Sequence, residues 1–175
     1  MMKQRIVRCL ALVGGLSLLS ASAAGGQEAP TAQDVETCLS RVLDYHGHLG
    51  PWAVIGYRVG ERALRETGIH RSSKDLVVVH YCPEAVQYTC MLDGLHAATG
   101  ASIGKLTLKH EVVPADQLRT VVVDREHHRR YQFTVNPELV SAILNLDHEH
   151  QISEARRVAG LADEKLFRVV ADPTN

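Results

Sequence analysis

Several things are scarce in this sequence, and each scarcity removes a class of function. Aromatic residues make up 5%, with one Trp and two Phe, which is too little for a base-stacking surface. There is no Lys/Arg-rich tract and the formal charge is −1, so nucleic acid is not an expected partner. No repeat, low-complexity tract or Pro-rich linker divides the chain, and no Ser sits in a nucleophile elbow. Gly100, Gly104 and Lys105 resemble a phosphate loop only superficially. The two glycines are too close, and Leu106 stands where Ser or Thr is required, so nucleotide binding is rejected.

What remains is ordinary in amount and unusual in kind. With 175 residues and 45% apolar content, the chain has enough material for one domain with a real core. Ten His stand against four Cys and three Met, a density that directs attention to metal or proton chemistry.

The first two dozen residues read as an address. Lys3, Arg5 and Arg8 precede an apolar run from Cys9 to Leu19, and small residues follow through Ala24. This is the order of a secretory signal peptide, and the apolar run falls well short of the ~20 residues of a spanning helix. Residues 1–24 are therefore expected to be a signal peptide removed on export, most simply to a periplasm, leaving no membrane span. Residues 25–30 would form a flexible lead-in, and residues 31–175 the folded domain. Three cysteines survive processing, Cys38, Cys82 and Cys90, so at least one thiol is free, metal-bound or intermolecular.

Along the mature chain, periodicity and punctuation predict a helix over Thr31 to Tyr45 and a second from Pro51 to about Thr67, stopped by Gly68. Ala53, Gly56, Gly60 and Ala63 share one face of the second, marking it as a central, closely packed helix. Leu76 to Tyr81 reads as a strand and Tyr88 to Thr99 as a helix closed by Gly100. Strands follow over Gly104 to Glu111, Leu118 to Asp124 and Arg130 to Val135. Helices from Asn136-Pro137 to about Leu146 and from Ser153 to about Ala159 precede a last strand, Leu166 to Ala171. The order points to an α+β fold, with helices packed on a mainly antiparallel sheet.

Three places carry candidate chemistry. His46-Gly47-His48 puts two imidazoles on one side of an extended segment, just before a helix N-terminus. Cys82 ends a strand, with His80 on the same strand face. Cys90 lies near the start of a helix, where the dipole should favour thiolate. Thiolate with imidazole suits Zn²⁺, Ni²⁺ or Cu. Three readings of Cys90 stay open: a ligand with His46 and His48, a disulfide partner of Cys82, or a small buried apolar residue. Asp93, one helical turn after Cys90, suits a ligand, a general base or the group that orients a ligating His. His127-His128 and the second H-x-H pair, His148 and His150, lie in polar turns and read as exposed loop histidines.

The motifs His46-Gly-His-Leu-Gly-Pro51, Gly56-Tyr-Arg58, Cys90-x-x-Asp93-Gly94 and Thr99-Gly100-x-Ser-x-Gly104-Lys105 occur in that order. Together they resemble the FmdE family, proteins similar to the FmdE component of formylmethanofuran dehydrogenase, from about Val42 to at least Glu111. The resemblance implies an α+β core, often dimeric, with a metal held by His46, His48 and Cys90; Cys82 or His80 would lie nearby. Asp93 and Lys105 match further motif positions and stand as candidate catalytic residues. The chain departs from the family where many members carry Cys and it has Gly50. It has Gly104-Lys105-Leu106-Thr107 in place of Gly-Lys-Gly-Asn, and no C-x-x-C follows Cys90. The resulting expectation is an exported metal-binding domain, a homodimer. It would take Zn²⁺ before Ni²⁺ or Cu, and handle or sense metal or bind a small metal-associated ligand. The alternatives are a metal-dependent hydrolase with Asp93 as base, and a thiol-redox protein using Cys82 and Cys90.

Overall fold

The computed structural model describes residues 29–173. The expected signal peptide, and residues 25–28 of the lead-in, lie outside the described residues. Helix α1 (Ala32–His46) starts where Thr31 and Asp34 form a reciprocal capping box, the Asp34 carboxylate accepting the Thr31 N–H at 2.9 Å. It ends at Gly47, whose φ of 84° lets the chain turn sharply between the two histidines of the H-G-H motif. Helix α2 (Pro51–Thr67) begins on Pro51, which needs no N–H partner there, and stops at Gly68. Every residue from Pro51 to Gly60 is buried, as expected of a central helix.

Strand β1 (Leu76–Cys82) is followed by helix α3 (Val86–Thr99) and strand β2 (Leu108–Val112), which pairs parallel to β1. Strands β3 (Arg119–Asp124) and β4 (Arg129–Val135) form a hairpin, with β3 antiparallel to the other side of β1. Helices α4 (Pro137–Leu144), α5 (Gln151–Ala159) and α6 (Asp163–Leu166) lead to strand β5 (Phe167–Pro173), antiparallel to β4. The sheet order is β2-β1-β3-β4-β5, so the fold is α+β with one parallel pair. No helix among the described residues is long and apolar enough to cross a membrane.

Several boundaries differ from the sequence reading. The strand expected from Gly104 starts only at Leu108, because residues 103–106 form a turn with Leu106 at φ 57°. Helix α5 begins at Gln151, not after Ser153, because Asp147 caps a short 3-10 turn, His148–His150, that runs straight into it. Helix α6, four residues long, is too short to show periodicity and has no signal in the sequence. It delivers Asp163 to the buried Arg58, at 2.7 Å, and to Arg62 and Arg65, at 3.1 and 3.0 Å, so one carboxylate ties the C-terminal segment to α2. Arg58 also donates to the Ala159 carbonyl.

The small-residue faces of α2 and α3 meet backbone to backbone. A Cβ built on Gly94 would lie 1.9 Å from the Ala53 carbonyl oxygen, and one on Gly56 2.2 Å from the Met91 carbonyl oxygen. No side chain fits at either position without moving a helix. Gly94→Ala is therefore expected to destabilise the protein by at least about 2 kcal/mol in urea unfolding. Gly104→Ala, which meets open space, should leave the midpoint nearly unchanged. Equal effects of the two substitutions would refute this account of the α2–α3 contact.

His80 packs wholly inside, its Nδ1 2.9 Å from the Thr120 hydroxyl on the paired strand. Burial pushes its imidazole down to about 4 from an ordinary 6.5. Between those values the unfolded chain holds the proton and the folded one does not. Stability is thus expected to fall as pH drops from 6.5 towards 4, by up to ~1.4 kcal/mol per pH unit from this residue. In chelator, His80→Asn should flatten that slope; an unchanged slope would show that His80 does not set it.

Candidate metal centre

His46 is the last residue of α1, so its position is fixed by the helix and by the αL turn at Gly47 that ends it. α3 packs beside α1 and carries Cys90 and Asp93 one turn apart. The two helices meet through a 2.7 Å hydrogen bond between His46 Nδ1 and Asp93 Oδ2. With Nδ1 donating to the carboxylate, the neutral ring keeps its lone pair on Nε2. That atom is buried and has no hydrogen-bond partner among the described residues. A carboxylate behind one nitrogen and an unclaimed lone pair on the other is how proteins prepare a ligating imidazole.

His48 lies beyond the turn, its ring centroid 4.3 Å from that of His46. It is exposed. His46, His48 and Cys90 border one cavity of about 320 Å³, together with Trp52 and Gln151. A Cβ at position 50 would sit 3.7 Å from His48 Nε2 and 3.9 Å from Gln151 Oε1. Gly50 thus leaves space beside His48. Among the described residues, no three His, Cys, Asp or Glu side chains form a ready-made ligating cluster. The donor chemistry nevertheless fits a borderline metal ion: an oriented imidazole with an orphaned nitrogen, a second imidazole on an exposed stem, and a thiol on the same cavity wall.

The expected thiolate at Cys90 is not what the structure supports. Cys90 is the fifth residue of α3, past the first turn where the helix dipole acts, and it is half-buried. Burial first, and the charge of Asp93 second, push its thiol up. Metal binding there would have to displace the thiol proton.

Cys82 and His80 lie elsewhere. Neither borders the cavity of His46, His48 and Cys90. Cys82 is fully buried, its Sγ 3.2 Å from His110 Nε2, and burial pushes its thiol up to about 11. His80 Nε2 has no hydrogen-bond partner among the described residues. Cys38, Cys82 and Cys90 are all free thiols, so no disulfide joins Cys82 to Cys90. Lys105 is exposed and its ammonium group donates to the Gly100 carbonyl at the end of α3; it borders neither cavity that His46 lines, although Gly104 before it borders the larger one.

A larger cavity of about 560 Å³ also has His46 and Cys90 in its wall, with Asp93, His96, Lys109 and His110. Sequence reasoning alone passes over His96 and His110. His96 follows Asp93 by three residues, so helical spacing would have placed it beside Cys90 and Asp93. Its Nδ1 donates to the Ala101 carbonyl at 2.7 Å and its ring stacks on Tyr45 at 4.1 Å. His110 reaches the cavity only because β2 pairs with β1, His110 opposite His80, and nothing local announces that. Of the loop histidines, His127 bonds to the buried Asp124 at 2.9 Å and closes the β3–β4 turn, while His148 and His150 are exposed.

Comparison with known proteins agrees with this architecture. The chain is 22% identical over 162 residues to a protein of Archaeoglobus fulgidus described as a probable S-adenosyl-L-methionine-binding protein. The match covers 84% of this chain and 43% of that one, so the chain spans less than half of that relative's length. A crystal structure of a tungsten formylmethanofuran dehydrogenase FmdE-like protein from Syntrophus aciditrophicus shares the fold. It has a TM-score of 0.57 and 17% identity, covering 85% of this chain and 78% of that one. Residues 45–174 match the family model described as FmdE, molybdenum formylmethanofuran dehydrogenase operon, a span that holds the H-G-H pair, the Cys90–Asp93 turn and the whole sheet. This chain belongs to the FmdE family.

Proposed function

We propose that this FmdE-family chain binds one divalent transition-metal ion, Zn²⁺ before Ni²⁺ or Cu, through His46, His48 and Cys90. The observation that carries the reading is the buried Nε2 of His46, unpartnered among the described residues, with Asp93 fixed on the opposite nitrogen. Asp93 is a positioning residue in this scheme, holding the ring and its tautomer. The ion would supply Lewis acidity, and with three protein ligands it would keep a position open to a small molecule. The larger cavity, bordered by the same His46 and Cys90, has the volume of a small-molecule site. The name of the Archaeoglobus fulgidus relative makes S-adenosylmethionine a ligand to screen there. The basic, apolar and small-residue order of residues 1–24 supports a role outside the cytoplasm.

A second reading is hydrolysis with Asp93 as general base, drawn from the same cavity, which brings Asp93 to its wall beside His46 and Cys90. Asp93→Asn separates the two. As a positioning residue, Asp93 should lose metal affinity by about 10–100-fold on this change. As a base, it should leave affinity intact and abolish turnover.

Metal content of the untagged protein is expected to be one equivalent after reconstitution, and to vanish in His46→Ala/His48→Ala. Loaded with Co²⁺, the protein should show a thiolate-to-cobalt charge-transfer band that Cys90→Ser removes. No bound metal in the parent protein would overturn the proposal. Intact mass of the chain recovered from its native compartment reads at the same time whether residues 1–24 are gone.

A further inference from the structure

The second H-x-H pair has no role in the centre described above, yet the fold carries it to that centre's outer side. His148 opens the 3-10 turn that leads into α5. Asp147 caps this turn and holds His150 through its Nδ1 at 2.5 Å. That bond occupies one imidazole of the pair. His148 is exposed, and no side-chain hydrogen bond holds it among the described residues.

His148 and His48 border a common outer cavity of about 450 Å³, walled by Leu49, Leu146 and Ile152. His48, Leu146 and Gln151 border both this outer cavity and the inner one that contains His46 and Cys90. The two cavities therefore adjoin at His48. Gln151 completes the junction. Its amide nitrogen donates to the Leu146 carbonyl at 3.5 Å, which turns Oε1 towards the space beside His48 Nε2.

Resting on the metal-binding reading above, we propose that His148 is the outer ligand of a metal-uptake route. His148 and His48 capture a hydrated divalent cation in the outer cavity, and His48 then passes it inward to His46 and Cys90. The physical need is clear at His46. Its Nε2 is buried, so a fully hydrated ion cannot reach it without first losing water. Exchanging water for imidazole one ligand at a time divides that cost into smaller steps. The carboxylates of Asp147 and Glu149, exposed beside His148, add a local negative potential that draws cations to the port.

A port differs from a resident ligand in its kinetics. Removing a port slows uptake and release by the same factor and leaves the equilibrium constant alone. Removing a resident ligand lowers affinity, chiefly through faster release. The test is stopped-flow transfer of Zn²⁺ between the protein and a chromogenic chelator, with His148→Ala beside the parent protein. The substitution is on the surface, and circular dichroism checks that it folds. Uptake and release should both slow by about tenfold, a change of ~1.4 kcal/mol in the barrier, with an unchanged dissociation constant. Parent-like uptake in the variant would overturn the port and leave the inner centre standing. Faster release with weaker binding would make His148 a resident ligand and overturn it likewise. A parent protein that takes up no Zn²⁺ at all would overturn both readings together.

Discussion

The backbone contact between α2 and α3 is the constraint on which the rest of the molecule depends. Gly56, Gly60 and Gly94 remove the side chains that would keep two helices apart, so the Ala53 carbonyl lies where a Cβ on residue 94 would have to be. Dispersion grows steeply with proximity, and a pair of helices this close is fixed in both separation and rotation. That fixed rotation determines which residues of α3 face α1. Cys90 and Asp93 take those positions, and the His46–Asp93 hydrogen bond follows from them. The candidate centre is thus set by packing at Met91 and Gly94, the residues that directly follow Cys90 and Asp93.

A second device holds the other end. Asp163, almost wholly buried, accepts from three arginines of α2, and two charged groups deep in the fold are tolerable because each is fully partnered. The chain between α4 and α6 is tethered in this way to the same helix that anchors α3. His148, Gln151 and the outer cavity therefore stand in a fixed relation to His46 and His48, although about a hundred residues separate them in sequence.

Much of this is legible in the sequence because it is written in local chemistry. Thr31 and Asp34 at a helix start, Pro51 at a first turn, and Gly68 and Gly100 after last turns are signals that act over four or five residues. The small-residue stripe of α2 declares a close neighbour. The H-G-H pair and the C-x-x-D turn declare donor chemistry. What does not show is anything resting on non-local pairing. The parallel alignment of β2 with β1 brings His110 beside Cys82, and no residue near either hints at it. The thiol of Cys90 misleads for a related reason: a position near a helix start suggests thiolate, while burial and a neighbouring carboxylate act the other way and are larger.

By itself, then, the sequence determined most of the elements though not α6, the close packing of the central helix and the residue types available for ligation. Each of these depends on covalent geometry or on spacing along one helix or strand. The tertiary structure alone decided which of those residues meet. It turned Asp93 towards His46 and left His46 Nε2 buried without a partner among the described residues. It sent His80 and Cys82 into the core away from the candidate centre, and bent Lys105 back onto the end of α3. Such choices depend on how helices rotate against one another and how strands register. Those are properties of the packed whole, where a shift of one residue or a small rotation exchanges the faces.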